Sequence, residues 1–554
     1  MNQTRGILFI ILAVLSFLLF QAYTQDQAPK PQVDSTNTIG QYNAVGAETD
    51  AKNSVSIANN ELRLTINSVT GDFIGADLLK YDRTVEDKTP LTLLSDRPDD
   101  YLRIVNGLYG VDGTDSAEKR ANYTISNQTA DSITLTYTNN NVTYKKIIKL
   151  DGYQVLVTYQ VQNNSERKIS LAPYSVFVYR PAPAPSLFSR SNIYGTSQSY
   201  AGLVISTAED NYDKISTGDL EDGDFKDVTT NKGWVAISQH FFVTAYIPIE
   251  TGSNQNFTIQ SNYKDNTFNI STRNQITGTD GGSDIVNPGQ TKDFAVKYWI
   301  GPKLQDQLEK VAPDLDLVVD YGWAWFLSLP LFKLMQFLHS LIGDWGLTII
   351  ALTLVVRIVI LPLSRIQFKN QALMRVIQPE LAAANERAGD DRMRKMMETQ
   401  KVFKKYGASQ FAGCIPALVQ MPIFLALFYL VNEAVDLRHE PFLWIKDLSQ
   451  ADPYFILPIL NGLIMIFMFS LTPMPENMDP TQRKIMKMMP YLFIIFFLFL
   501  PAGLIVYYIV SNIITILLIM YFNRKIKYQF ENNLLPTYKV EDRPNKLLDT
   551  KRRR

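Results

Sequence analysis

At 554 residues the chain is too long for one hydrophobic core, so length alone predicts several units. Its 54 Lys and Arg are balanced by 54 Asp and Glu, and that zero net charge argues against DNA or other nucleic acid as a partner. One cysteine (Cys414), three scattered histidines (His240, His339, His439) and the lack of a Gly-rich phosphate loop leave no disulfide framework, no zinc-ligand spacing and no nucleotide site, so no cofactor, no metal and no catalytic set are expected.

The chain opens with Arg5 ahead of an apolar run from Ile7 to Phe20. The run ends in Gln21, Ala22 and Tyr23, a poor cleavage site, so residues 1–23 read as an uncleaved transmembrane anchor with its N-terminus in the cytoplasm. Residues 24–50, rich in Gln, Pro, Asn, Ser and Thr, read as a linker. From 51 to 317 the composition is that of an all-β domain. Short runs such as SITLTY (Ser132–Tyr137) and YQVLVTYQV (Tyr153–Val161) alternate, with turns at Asn139–Asn141 and Asp151–Gly152. A large antiparallel β-sandwich outside the cytoplasm is expected, serving as scaffold or docking domain.

Beyond Leu317 the chain turns rich in Phe, Leu, Ile and Met, and the positive-inside rule orders its apolar runs. Nine basic residues from Lys369 to Lys405 place 366–412 in the cytoplasm as a helical hairpin turning at Gly389-Asp390-Asp391. The acidic 433–452 suits the outer side, and Arg483, Lys484 and Lys487 return 472–487 to the cytoplasm. Parity then makes 318–343 an interfacial helix on the outer surface and 344–365, 413–432 and 453–471 transmembrane helices. The run from Pro490 to Phe522 crosses twice, as 488–501 and 502–523, turning at Pro501-Ala502-Gly503. The tail, 524–554, ends in KRRR inside, giving six spans with both termini cytoplasmic.

One residue breaks this pattern. Arg357 lies in the middle of Leu347–Leu363, where a guanidinium costs roughly 2.5–3.5 kcal/mol on insertion scales. No other apolar run supplies an acid. The runs supply neutral polar groups instead: Thr348, Thr353, Gln420, Asn461, Ser511, Asn512 and Thr515. Thr353 and Arg357 share a helix face at i, i+4, and Tyr508, Ser511 and Thr515 share another, so a wet polar cavity inside the membrane is expected. The competing reading is structural, with Arg357 on backbone carbonyls and the hydroxyls as helix-packing contacts. Met374, Met393, Met396 and Met397 on the hairpin read either as a soft face for incoming chains or as packing between its helices.

The blocks GDWGLTIIALTLVVRIVILPLSRIQF, CIPALVQMPIFLALFYL, PFLWIKDLSQADPYFILPIL and LPAGLIVYYIVSN occur in that order. Over Trp323–Lys527 they resemble the YidC family of membrane protein insertases, and the anchor with a large β domain is similar to its Gram-negative members. The resemblance implies five core helices around a groove open to cytoplasm and lipid. It implies groove positions at Arg357, Thr353, Gln420 and Tyr508, with an apolar sliding face at Met421, Pro422 and Phe424. It also implies an inner-membrane insertase and chaperone rather than an enzyme. Nascent membrane proteins would be its substrates, and the Sec translocon, ribosome, signal recognition pathway and anionic lipids its candidate partners. Two other classes stay open on the residues alone: a transporter or channel with an intramembrane anion site, and an anchored envelope-binding protein that works through its β domain.

Overall fold

The computed structural model describes residues 53–535 except 98–99, 116–119, 182–199, 223–224, 226, 250–254, 265–266, 277–283, 390, 409–414 and 472–479. The expected anchor, the linker, Cys414 and the basic end of the tail lie outside the described residues. The described chain forms two compact units that divide between Asp320 and Tyr321.

The N-terminal unit consists of two antiparallel sheets. In the ten-stranded sheet the first five strands, between Ser54 and Tyr109, continue through Ile169–Arg180, Thr267–Ile276 and Gln255–Lys264 to the edge strand Val228–Thr230. The nine-stranded sheet is centred on Phe242–Pro248, Thr291–Pro302, Gln154–Asn163 and Val142–Asp151. Period-2 alternation sets the inner faces. In Gln154–Asn163, Val155, Val157, Tyr159 and Val161 are buried, and Val157 pairs with Val296 on one side and Ile148 on the other. Phe73 and Tyr298, one from each sheet, meet edge to face at 5.3 Å, so the sheets pack as the expected sandwich. The turn expected at Asn139–Asn141 is present. Asn140 and Asn141 sit at φ +51° and +62°, the left-handed values a two-residue hairpin requires and asparagine tolerates.

Between the sheets lies a polar cluster. Arg120 forks onto Asp72 and reaches Asp115 at 3.4 Å, while Tyr159 donates to Asn106 Oδ1 at 2.8 Å. Lys146, fully buried, donates to the carbonyls of Asn106 at 2.9 Å and Thr70 at 3.3 Å. Gly71 passes so close that a Cβ there would lie 2.6 Å from Lys146 Nζ, and its φ of +73° also favours glycine. Burial pushes Lys146 down to about 7, against the pull of Asp72. Burial would raise Asp72, but the Arg120 guanidinium outweighs it and holds the carboxyl at about 2.

The C-terminal unit is helical. Its described helices of fifteen or more residues are α1 (Trp325–Ile342), α2 (Trp345–Val359), α3 (Leu361–Ala388), α4 (Arg392–Tyr406), α5 (Ile415–Glu433), α6 (Ile456–Ser470), α7 (Pro480–Phe497) and α8 (Ala502–Glu531). α1 ends at Gly343 (φ +77°), and Asp344 caps α2 by accepting from the Leu347 amide at 2.7 Å. α1 buries Ser328, Leu331, Phe332 and Met335 and leaves Trp323, Trp325, Phe326 and Phe337 around it exposed. With the turn that precedes it, α1 is long and apolar enough to cross a membrane, as is α8, so length and composition alone do not assign α1 to the interface.

The segment expected as one span over 344–365 is instead two helices. α2 stops at Val359, and α3 leaves it at 70°. Pro362 accounts for the break, because it has no amide to donate and its ring would collide with the carbonyl four residues back. α3 and α4 form the expected hairpin. Gly389 ends α3, and the Asp391 carboxylate caps α4 by accepting from the Met393 amide at 2.9 Å. Ala372, Leu373, Ile377, Val402 and Phe403 pack together with Ile526 of α8. Met374 joins this packing, whereas Met393, Met396 and Met397 are exposed, so the four methionines do not form one surface. α7 and α8 both run well past the apolar segment Pro490–Phe522, starting at Pro480 and ending at Glu531.

Candidate functional site: an arginine among helices α2, α5 and α8

The polar residues of the apolar helices fall into three groups. Thr348, Thr353 and Thr515 donate to the carbonyls of Asp344, Ile349 and Ser511, four residues back, at 2.6, 2.7 and 2.8 Å. A hydroxyl in apolar surroundings satisfies itself this way at little cost. Thr353 is also fully buried, and the hydrogen bond its hydroxyl makes is to the Ile349 carbonyl rather than to Arg357. Asn512 Nδ2 of α8 donates to Asn461 Oδ1 of α6 at 2.9 Å, a buried clamp between two helices.

The third group is different. Arg357 of α2 donates through Nη2 to Ser511 Oγ of α8, and its buried Nε has no partner among the described residues. Tyr507 and Tyr508 of α8 lie close to it, and Gln420 of α5 lies beside both tyrosines. The Gln420 amide nitrogen and the Tyr507 hydroxyl are buried without a well-aligned hydrogen bond. Among the described residues no carboxylate pairs with Arg357. An isolated cation with orphaned donors nearby is costly in a low dielectric unless water or a ligand completes it.

Aromatic rings form one wall. Tyr508 contacts Phe424 of α5 at 5.8 Å and Phe497 of α7 at 5.2 Å, and Phe424 also meets Phe428 and Phe496 at 6.0 Å. Phe424 is therefore packed among rings, and Pro422 is half-buried inside α5; of the expected sliding face Met421 alone is exposed. At one end of α8 the 434–455 loop closes over the helix start. Carbonyls of Gln450 and Leu448 accept from the Ala502 and Gly503 amides at 2.7 and 2.9 Å. The fully buried Asp452 holds that loop, accepting from the Trp444 indole at 3.3 Å and from the Leu457 amide at 2.7 Å.

Of the residues expected at the site, the structure thus brings Arg357, Gln420 and Tyr508 together and leaves Thr353 out. Tyr507 was not anticipated, because a tyrosine in an apolar run reads as core. Ser511 was visible only as a polar residue on the Tyr508 face.

A bundle of apolar helices around an arginine with no acid partner among the described residues, in one chain with a large β-sandwich, defines a class of membrane-embedded protein with a polar internal site. The comparisons specify it further. Residues 337–529 match the family described as 60Kd inner membrane protein, and residues 54–334 match the YidC periplasmic domain. The membrane protein insertase YidC of Histophilus somni is 38% identical over 537 residues, covering 93% of this chain and 96% of the relative. That of Haemophilus influenzae is 38% identical over 538 residues with the same coverage. A crystal structure of active YidC insertase with its first transmembrane domain resolved is 17% identical, covers 92% of this chain and 97% of its own, and has a TM-score of 0.35. The chain belongs to the YidC family of membrane protein insertases. It is an inner-membrane protein with a periplasmic β domain, and it is not an enzyme.

Proposed function

We propose that the chain inserts nascent membrane proteins into the inner membrane, receiving them in a hydrophilic groove around Arg357. The observation that carries the reading is the guanidinium with a free Nε and no acid partner among the described residues, set among Gln420, Tyr507 and Tyr508. A resident carboxylate would neutralise that charge. Without one it attracts water and the short, often acidic, outer tail of an incoming segment, lowering the cost of bringing that tail to bilayer depth. The apolar segment then leaves past Met421 into lipid. Hydrophobic transfer supplies the free energy, with the membrane potential drawing acidic tails outward.

In this reading the groove opens to the cytoplasm, the hairpin of α3 and α4 is cytoplasmic, both termini are inside and the spans number six. α1, with its exposed Trp and Phe, lies in the outer interface. The Sec translocon, the ribosome, signal recognition components and anionic lipids are proposed partners; the basic residues of α4 suit the last three. No observation favours a transporter or channel.

An Arg357→Ala variant is expected to insert a single-span substrate with an acidic tail at least about tenfold more slowly, the loss of one charge-assisted interaction. A photo-crosslinker at Met421 should capture the same substrate when stalled. Full-rate insertion by Arg357→Ala, together with no capture, would overturn the groove.

A further inference from the structure

Resting on that reading, the structure assigns Ser511 as the residue that positions the Arg357 guanidinium and so sets the preference for acidic tails. Ser511 Oγ accepts from Arg357 Nη2, and it is the one side chain among the described residues with a hydrogen bond to this arginine. Ser511 itself is fully buried on α8, so its hydroxyl is fixed by packing. An arginine has three rotatable bonds beyond Cβ and in an apolar bundle would otherwise extend toward the nearest interface. One bond at Nη2 prevents that and engages one of the two donor edges of the guanidinium, both of which include Nη2, leaving the other edge for a carboxylate in two-point contact.

The identity of the partner matters as much as its place. A serine oxygen is a dipole, so it orients the cation without cancelling it. A carboxylate at 511 would sit within direct hydrogen-bond reach and form a resident ion pair. Gln420 Nε2 and the Tyr507 hydroxyl, buried beside each other without a well-aligned hydrogen bond among the described residues, suit a second oxygen of the visiting acid. The ligand class that completes the cluster is therefore a carboxylate on a passing chain, bound briefly.

The test compares two single-span substrates identical except for the outer tail, one carrying Asp and the other Asn at the same positions. Insertion is measured in membranes holding equal amounts of full-length variants, and the readout is the ratio of acidic-tail to neutral-tail rate. Ser511→Ala is expected to lower that ratio about tenfold, the order of one charge-assisted hydrogen bond. Ser511→Thr keeps the hydroxyl and should keep the ratio. Ser511→Asp should bring the ratio to that of Arg357→Ala. A Ser511→Ala variant that keeps the wild-type ratio, or that loses both substrates equally, overturns the assignment, because a packing role would not distinguish the tails. If Arg357→Ala itself keeps the wild-type ratio, it is the groove reading that fails rather than the role of Ser511 within it.

Discussion

Lys146 stands on the inner face of its strand, in register with Val142, Tyr144, Ile148 and Leu150, where the alternation calls for an apolar residue. Its placement makes the β domain's stability depend on pH in a calculable direction. The folded value near 7 lies below the 10.5 of a free lysine, so between those limits the unfolded chain holds a proton that the folded chain lacks. Stability therefore rises with pH across that window, by on the order of 1.4 kcal/mol per pH unit at most. Asp72 works at the other end. Its folded value near 2 lies below 3.8, so its contribution is present above about 4 and is lost as pH falls toward 2. Lys146→Met is expected to flatten the alkaline rise and leave the acid loss. The unfolding midpoint of both proteins at pH 7 and pH 9, followed by tryptophan fluorescence, checks it. An identical rise in both proteins counts against the buried lysine as its source. The same kind of pattern-breaking charge made Arg357 readable from sequence. Thr353 shows the limit of that reasoning: its spacing to Arg357 is real, but spacing does not show whether a hydroxyl bonds to a neighbour or to its own helix. Only the bond to the Ile349 carbonyl shows that.

At the scale of elements, caps and breakers were legible wherever one residue type forces the backbone. Gly389 and Asp391 turn the hairpin as read, and Pro501 precedes α8 as read. The 70° break after Val359 is the exception: Pro362 marks it in the sequence, but the run reads as one apolar segment because hydropathy does not register a bend. Close approaches were also hidden. Gly346 of α2 lies under the ring of Phe442, where a Cβ would come within 2.0 Å of the ring, and Phe442 is tied to Ile445 by two hydrogen bonds of 2.9 Å. A methyl group at 346 must displace that ring and the loop that caps α8. Gly346→Ala is expected to destabilise by about 1–3 kcal/mol and to expose Arg438 and Lys446 to trypsin. Adding Phe442→Ala should restore part of the loss, since the clash disappears with the ring. Strictly additive effects in a thermal unfolding series would show that ring and glycine do not press on each other.

Across the whole molecule, the change from period-2 alternation to long apolar runs near residue 320 was enough to divide the chain, because the two compositions solve burial differently. The β domain closes its sheets over a core of its own, with Trp234, Trp299, Tyr246 and Phe73 fully buried, and it carries its own buried ion cluster. The helical unit keeps Arg357, Gln420, Tyr507, Tyr508 and Ser511 entirely within 321–554. No residue of the proposed groove comes from the β domain, so the physical argument for insertion needs only the helices. Removing 54–320 while retaining the N-terminal segment is therefore expected to leave insertion of an acid-tailed, single-span substrate within about threefold of the full chain, a change of less than 1 kcal/mol in the limiting barrier. The measurement is the protected fraction of substrate in membranes carrying equal amounts of either protein. A tenfold or greater loss, with α8 still folded by protease protection, would assign essential work to the β domain. It would also restore the envelope-binding alternative that composition alone left open. Retained insertion, combined with the same dependence on Arg357 in the shortened chain, would locate the function in the bundle and leave the sandwich a modulating or docking role.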